Sequence, residues 1–101
     1  MEIGQMGVNI ENRFNKALRI LDLGQIEKAE LILNEIIIEA REKTDNLFLI
    51  RANCVLGELL SSMGRTAEAK SCLSEVITTP YDDDVVDYER TLAHKILKKL
   101  G

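Results

Sequence analysis

The chain has 101 residues, of which 46% are apolar and 30% charged, with a net charge of -4. This is the make-up of one folded domain rather than a disordered tail, and no window approaches the roughly 18 consecutive apolar residues of a membrane span. The acidic balance speaks against nucleic acid or an anionic membrane surface as the target.

Aromatic residues make up only 4%, and one Pro and six Gly leave room for long helices. Leu, Ile and Ala carry the apolar content, which favours helix over sheet. Residues 1–9 are polar, include Gly4 and Gly7, and hold no signal-like apolar run. They are expected to form a flexible arm ahead of a helical domain spanning 10–101. Cys54 and Cys72 are expected to be free thiols in a cytoplasmic, reducing setting.

Asn9 can cap a first helix over 10–23, where Ile10, Phe14, Ala17, Leu18 and Leu21 follow helical spacing. Gly24 ends it by taking the left-handed conformation. A second helix is predicted over 26–42, with Ala29, Leu33, Ile36 and Ile37 on its main face. Leu31 and Ile38 form a second, narrower stripe. Thr44, Asp45 and Asn46 break the pattern and offer capping groups to a third helix over 47–63, the most apolar of the set and so the most enclosed. Gly64 ends it.

Thr66 is expected to cap a fourth helix to Ile77, closed by Pro80, because the residue before a proline resists the helical conformation. Asp82, Asp83 and Asp84 are expected to cap a fifth helix over 85–100, whose last turns carry Lys95, Lys98 and Lys99. Five helices joined by short turns place neighbours antiparallel. The predicted class is all-α.

Two stretches repeat forty residues apart: Leu23-Gly24-Gln25-Ile26-Glu27-Lys28-Ala29-Glu30 and Met63-Gly64-Arg65-Thr66-Ala67-Glu68-Ala69-Lys70. In each, a small residue (Ala17, Gly57) stands seven before the glycine and an alanine (Ala29, Ala69) five after it. Small residues so placed let two helices cross closely, and an internal period of this size signals a stacked helical array with one continuous core.

These signatures resemble the tetratricopeptide repeat. Leu56-Gly57 followed by Leu60, Ala69 followed by Leu73, and Pro80 look like its leucine-glycine, alanine and closing-proline positions. Ala17 and Ile20, then Ala29 and Leu33, match in the first unit, which lacks the proline. Arg13 and Asn53 stand where the family has an aromatic. The period of forty exceeds the family's roughly 34 residues and is similar to its long-helix variants. Leu100-Gly101 echoes the helix ends, and counting back seven puts His94 at the small position, so the fifth helix reads as a terminal cap. The resemblance implies two helix hairpins and a cap in a right-handed superhelix, acting as a protein–protein interaction module without catalysis.

It also implies a partner-binding inner face made by the first helix of each unit. Aligning the glycines places Phe14, Leu18 and Leu21 there in unit one. Arg51, Cys54, Glu58 and Ser61 follow in unit two, and Tyr88, Thr91, Lys95 and Lys98 in the cap. This face suits a peptide or helix with an apolar anchor and an acidic end. Alternatively, residues 1–9 or a second copy of the chain cover it. Family members that clamp a C-terminal carboxylate use lysine and asparagine where this chain has Phe14 and Leu18, so that ligand is not expected. Leu31 and Ile38 read either as a homodimer contact or as part of a broad face buried between two neighbours.

No cofactor or metal is expected. His94 is the only histidine and has no cysteine at ligand spacing. Cys54 has no motif supplying a base. The aspartates lack the alternating ligands and central glycine of a calcium loop. No phosphate-cradling glycine loop occurs.

Overall fold

The structure is a computed structural model that describes residues 9–82 and 84–101. These residues form five α-helices and no strand: α1 (Ile10–Asp22), α2 (Ile26–Lys43), α3 (Asn46–Ser62), α4 (Thr66–Thr78) and α5 (Asp87–Leu100). A single 3-10 turn, Asp84–Val86, precedes α5. The chain is therefore all-α. Apart from Asn9, the expected arm lies outside the described residues.

The helix ends follow local chemistry. Asn9 Oδ1 accepts from the amide of Asn12 at 2.8 Å, and Asp45 Oδ1 from the amide of Phe48 at 3.2 Å, so α1 and α3 are capped by side chains. Two expected caps are corrected. Thr66 is already helical, and the capping position of α4 falls to Arg65, which makes no side-chain cap bond. The α5 capping position is Val86, again without a side-chain bond. Asp84 instead opens the 3-10 turn, and Asp83 lies outside the described residues.

Gly24 (φ 81°) and Gly64 (φ 76°) adopt the left-handed conformation. Around the first, the amide of Gln25 donates to Ile20 O and that of Gly24 to Leu21 O. Around the second, Arg65 donates to Leu60 O and Gly64 to Ser61 O. Both turns thus satisfy the same exposed carbonyls in the same way. The turn between α2 and α3 uses that geometry with a threonine: Thr44 sits at φ 55°, and the amide of Asp45 donates to Ala40 O at 2.8 Å. Thr79 is extended (ψ 124°) ahead of Pro80, which ends α4 as the sequence predicts.

Helix α3 touches every other helix, in keeping with its apolar sequence. Each helix packs on the next in the chain, and α3 also meets α1 and α5. Helix α3 therefore adjoins both of the other odd-numbered helices as well as both even-numbered ones. Ala17, Ala29 and Ala69 have no exposed surface, and Gly57 is buried. A Cβ on Gly57 would lie 2.6 Å from Leu73 Cδ2, which shows how closely α3 and α4 approach.

The core divides in two, where one continuous core was expected. One part joins Phe14 and Ala17 to Leu33, Ile36, Leu56 and Ala69; the other joins Ile50 and Cys54 to Leu73, Val76, Val86 and Ala93. Leu47 and Leu100 pack against both. Ala93, fully buried, fills the small position of α5. His94, the residue obtained by counting back from Gly101, is exposed. The count fails by one because Val86 and Ala93 join the cluster of Ile50 and Leu73, and that packing rather than Gly101 sets the register of α5.

Ion pairs tie α2 to its neighbours. The Arg65 guanidinium binds both oxygens of Glu30, at 3.0 and 2.9 Å, while also pairing with Glu68. Arg41 meets both oxygens of Glu75 at 2.7 Å. Glu39 accepts from Lys43 and from Arg13, and these partners hold its carboxyl below the usual range.

Candidate partner-binding site

Helix α3 adjoins both α1 and α5, and the residues expected on a face shared by these three helices separate by depth. Phe14 is only 8% exposed. Its ring meets Phe48 edge-on, with centroids 5.6 Å apart, so it belongs to the core and offers no anchor to a partner. Helical spacing places Phe14 on an apolar stripe but does not reveal that Phe48, at the start of α3, covers it. Cys54 is buried too, its Sγ 3.9 Å from Glu89 O. Burial, reinforced by the charges of Glu89 and Glu58, pushes its thiol up to about 12. A thiol held neutral is not a nucleophile at physiological pH.

Leu18, Leu21, Arg51 and Ser61 are half-buried. Arg51 lies over the Phe48 ring, 5.4 Å from its centroid, with its Nε 3.7 Å from Glu89. Its charge is engaged within the molecule instead of being presented outward. Glu58, Tyr88, Thr91, Lys95 and Lys98 are exposed, Tyr88 at 72%. In helical register Tyr88, Thr91, Lys95 and Lys98 share one side of α5. The outward-facing part of the expected site is therefore this aromatic and basic strip, bordered by half-buried Arg51 and by Glu58 on α3.

Two residues absent from the sequence-based site help to position this strip. Arg90 donates to Thr79 O at 2.7 Å and to Tyr81 O at 3.3 Å, tying α5 to the loop that follows α4. Glu89 meets Arg51 between α3 and α5. Neither has a local sequence signal, because the partners lie on other elements. Arg13 Nε, Glu89 Oε1 and Arg90 Nε are buried without a hydrogen-bond partner among the described residues.

On α2, Leu31 and Ile38 are 59% and 56% exposed, which corrects the reading that neighbouring helices bury them. Gly24 and Gly64 stand exposed at the turns. Among the described residues no group of three or more His, Cys, Asp or Glu could hold a metal ion, and no helix is long and apolar enough to cross a membrane. No family model matches the chain, nor does any curated protein or solved structure.

Proposed function

We propose that this chain is a non-catalytic protein–protein interaction module of tetratricopeptide-like, long-helix architecture: two hairpin units in a right-handed stack, with α5 as the cap. The observation that carries this reading is the duplicated turn. Gly24 and Gly64 share the same pair of turn hydrogen bonds, each seven residues after a buried small side chain. Repeated hairpins of this kind generate extended surfaces whose curvature suits a polypeptide ligand. The partner is an acidic peptide segment lying along α5, where Tyr88 supplies apolar contact area and Lys95 and Lys98 supply charge.

Selection from a displayed peptide library tests it, with the Tyr88→Ala/Lys95→Glu/Lys98→Glu variant as the counter-screen. All three residues are exposed, so helix content stays the same. Selected peptides should be rich in Asp and Glu and bind the variant at least tenfold more weakly. Peptides that bind both proteins equally well would place the site elsewhere. A second reading, against which the acidic border of the stripe weighs, is a homo-oligomer assembled through exposed Leu31 and Ile38 on α2. Sedimentation that returns only an 11.4 kDa species removes it.

A further inference from the structure

From a different surface, and independently of the α5 strip, we infer that the outer face of α2 docks a basic amphipathic helix from another protein, with Leu31 and Ile38 as its two apolar anchor points. The two side chains are seven residues apart, about two turns or ~10 Å along one line of the helix. Both are more than half exposed.

The molecule contains its own control. Forty residues on, the second unit carries Ser71 and Thr78 at the same places on α4, and both are exposed. The fold therefore accepts polar residues there, and the leucine and isoleucine on α2 are not required by packing. An exposed apolar pair that the architecture does not need marks a contact.

The border of the stripe selects the occupant. Glu27, Glu35 and Glu42 are exposed, fall within about half a turn of Leu31 and Ile38 in helical register, and form no ion pair with another described residue. The cations of this region are otherwise engaged: Arg41 binds Glu75, Lys43 and Arg13 bind Glu39, and Arg65 binds Glu30 and Glu68. Among the described residues of α2, Lys28 is the one exposed cation outside these ion pairs. A second copy docked about a two-fold axis would set these carboxylates against their own images, which is repulsive. A helix with apolar residues seven apart flanked by lysine or arginine complements both features.

The test uses the full chain and two synthetic helical peptides with leucines seven apart, one flanked by lysines and the other by glutamates, read by fluorescence anisotropy at low salt. The lysine peptide should bind at least tenfold more tightly than the glutamate peptide and weaken as salt rises. Leu31→Ser/Ile38→Thr, the pair already present in unit two, should weaken it at least tenfold with helix content unchanged. Glu35→Lys/Glu42→Lys should reverse the preference toward the glutamate peptide. Equal binding of the two peptides, or lysine-peptide binding unaffected by Leu31→Ser/Ile38→Thr, overturns the inference. So does a concentration-dependent dimer that the same substitutions abolish, because the occupant would then be a second copy.

Discussion

Replacing Gly57 with alanine probes the closest helix approach in the molecule. The added Cβ would sit 2.6 Å from Leu73 Cδ2, 2.7 Å from Leu73 Cγ and 3.3 Å from Cys72 Cβ. Leu73 is fully buried, so its side chain has no open space into which to turn. Leu73 Cγ can shift only by rotating the side chain within the packed core, and the Cys72 Cβ moves only if the helix moves. Overfilling a packed core by a methyl group costs about 1–3 kcal/mol. Alanine returns roughly 1 kcal/mol over glycine in a helix interior. The balance is a loss of about 0–2 kcal/mol, seen in urea titrations followed by circular dichroism as a lower midpoint at unchanged slope. Leu73→Ala alone should cost about 2–5 kcal/mol. In the double variant the new methyl occupies part of the space that Leu73 vacates, so the combined loss should fall short of the sum by about 1 kcal/mol or more. A Gly57→Ala protein that is more stable than the parent, or strictly additive losses, would refute the close approach.

Thr44 and Cys54 give two further expectations. A β-branched residue at φ 55° pays the left-handed penalty of about 1–2 kcal/mol, part of which glycine gives back in backbone entropy, so Thr44→Gly should raise stability by about 0.5–1 kcal/mol. The thermal midpoint should then rise by about 4 °C, and an unchanged or lower midpoint would contradict the turn geometry. The Cys54 thiol titrates higher in the folded chain than its unfolded value of 9.0, at about 12, so its contribution is intact below 9.0 and lost as pH climbs toward 12. In that window Cys54→Val should show a shallower fall of stability with pH than the parent, by at most about 1.4 kcal/mol per pH unit. Parallel curves for the two proteins would mean that the thiol is accessible to water.

Much of the architecture was legible because it is written in local chemistry. Gly24, Gly64 and Pro80 mark helix ends that no side-chain packing has to decide, and the α1 and α3 caps need only the oxygens of Asn9 and Asp45. The misses depended on what lies across an interface. Periodicity sorts residues onto faces without saying which face is covered, so Phe14 read as a groove residue until Phe48 was seen against it. Arg51 read as a free charge because Glu89 approaches it from another helix. The α5 register slipped by one because Val86 and Ala93 are fixed by contact with Ile50 and Leu73 rather than by Gly101. Thr66 and the aspartates had the right chemistry for capping, but Arg65 and Val86 occupy the capping positions.

The duplication separates what the fold requires from what it merely permits. Ile10 and Ile50, Ala17 and Gly57, Ala29 and Ala69, Leu33 and Leu73, and Ile36 and Val76 hold matching positions forty residues apart, and all are buried. Where the units diverge, the side chains are mostly at the surface: Leu18 against Glu58, Leu31 against Ser71, Ile38 against Thr78. In each of these pairs the first unit is the more apolar. A shared backbone cannot account for that asymmetry, because the same positions carry polar groups in the second unit without loss of the helix. The basic strip lies on α5, while the acidic border lies on α2. The two proposed surfaces thus differ in charge as well as in the helix that carries them. A single partner with one charge pattern cannot satisfy both, so the two proposals, taken together, require two different polypeptides, an acidic one for α5 and a basic one for α2.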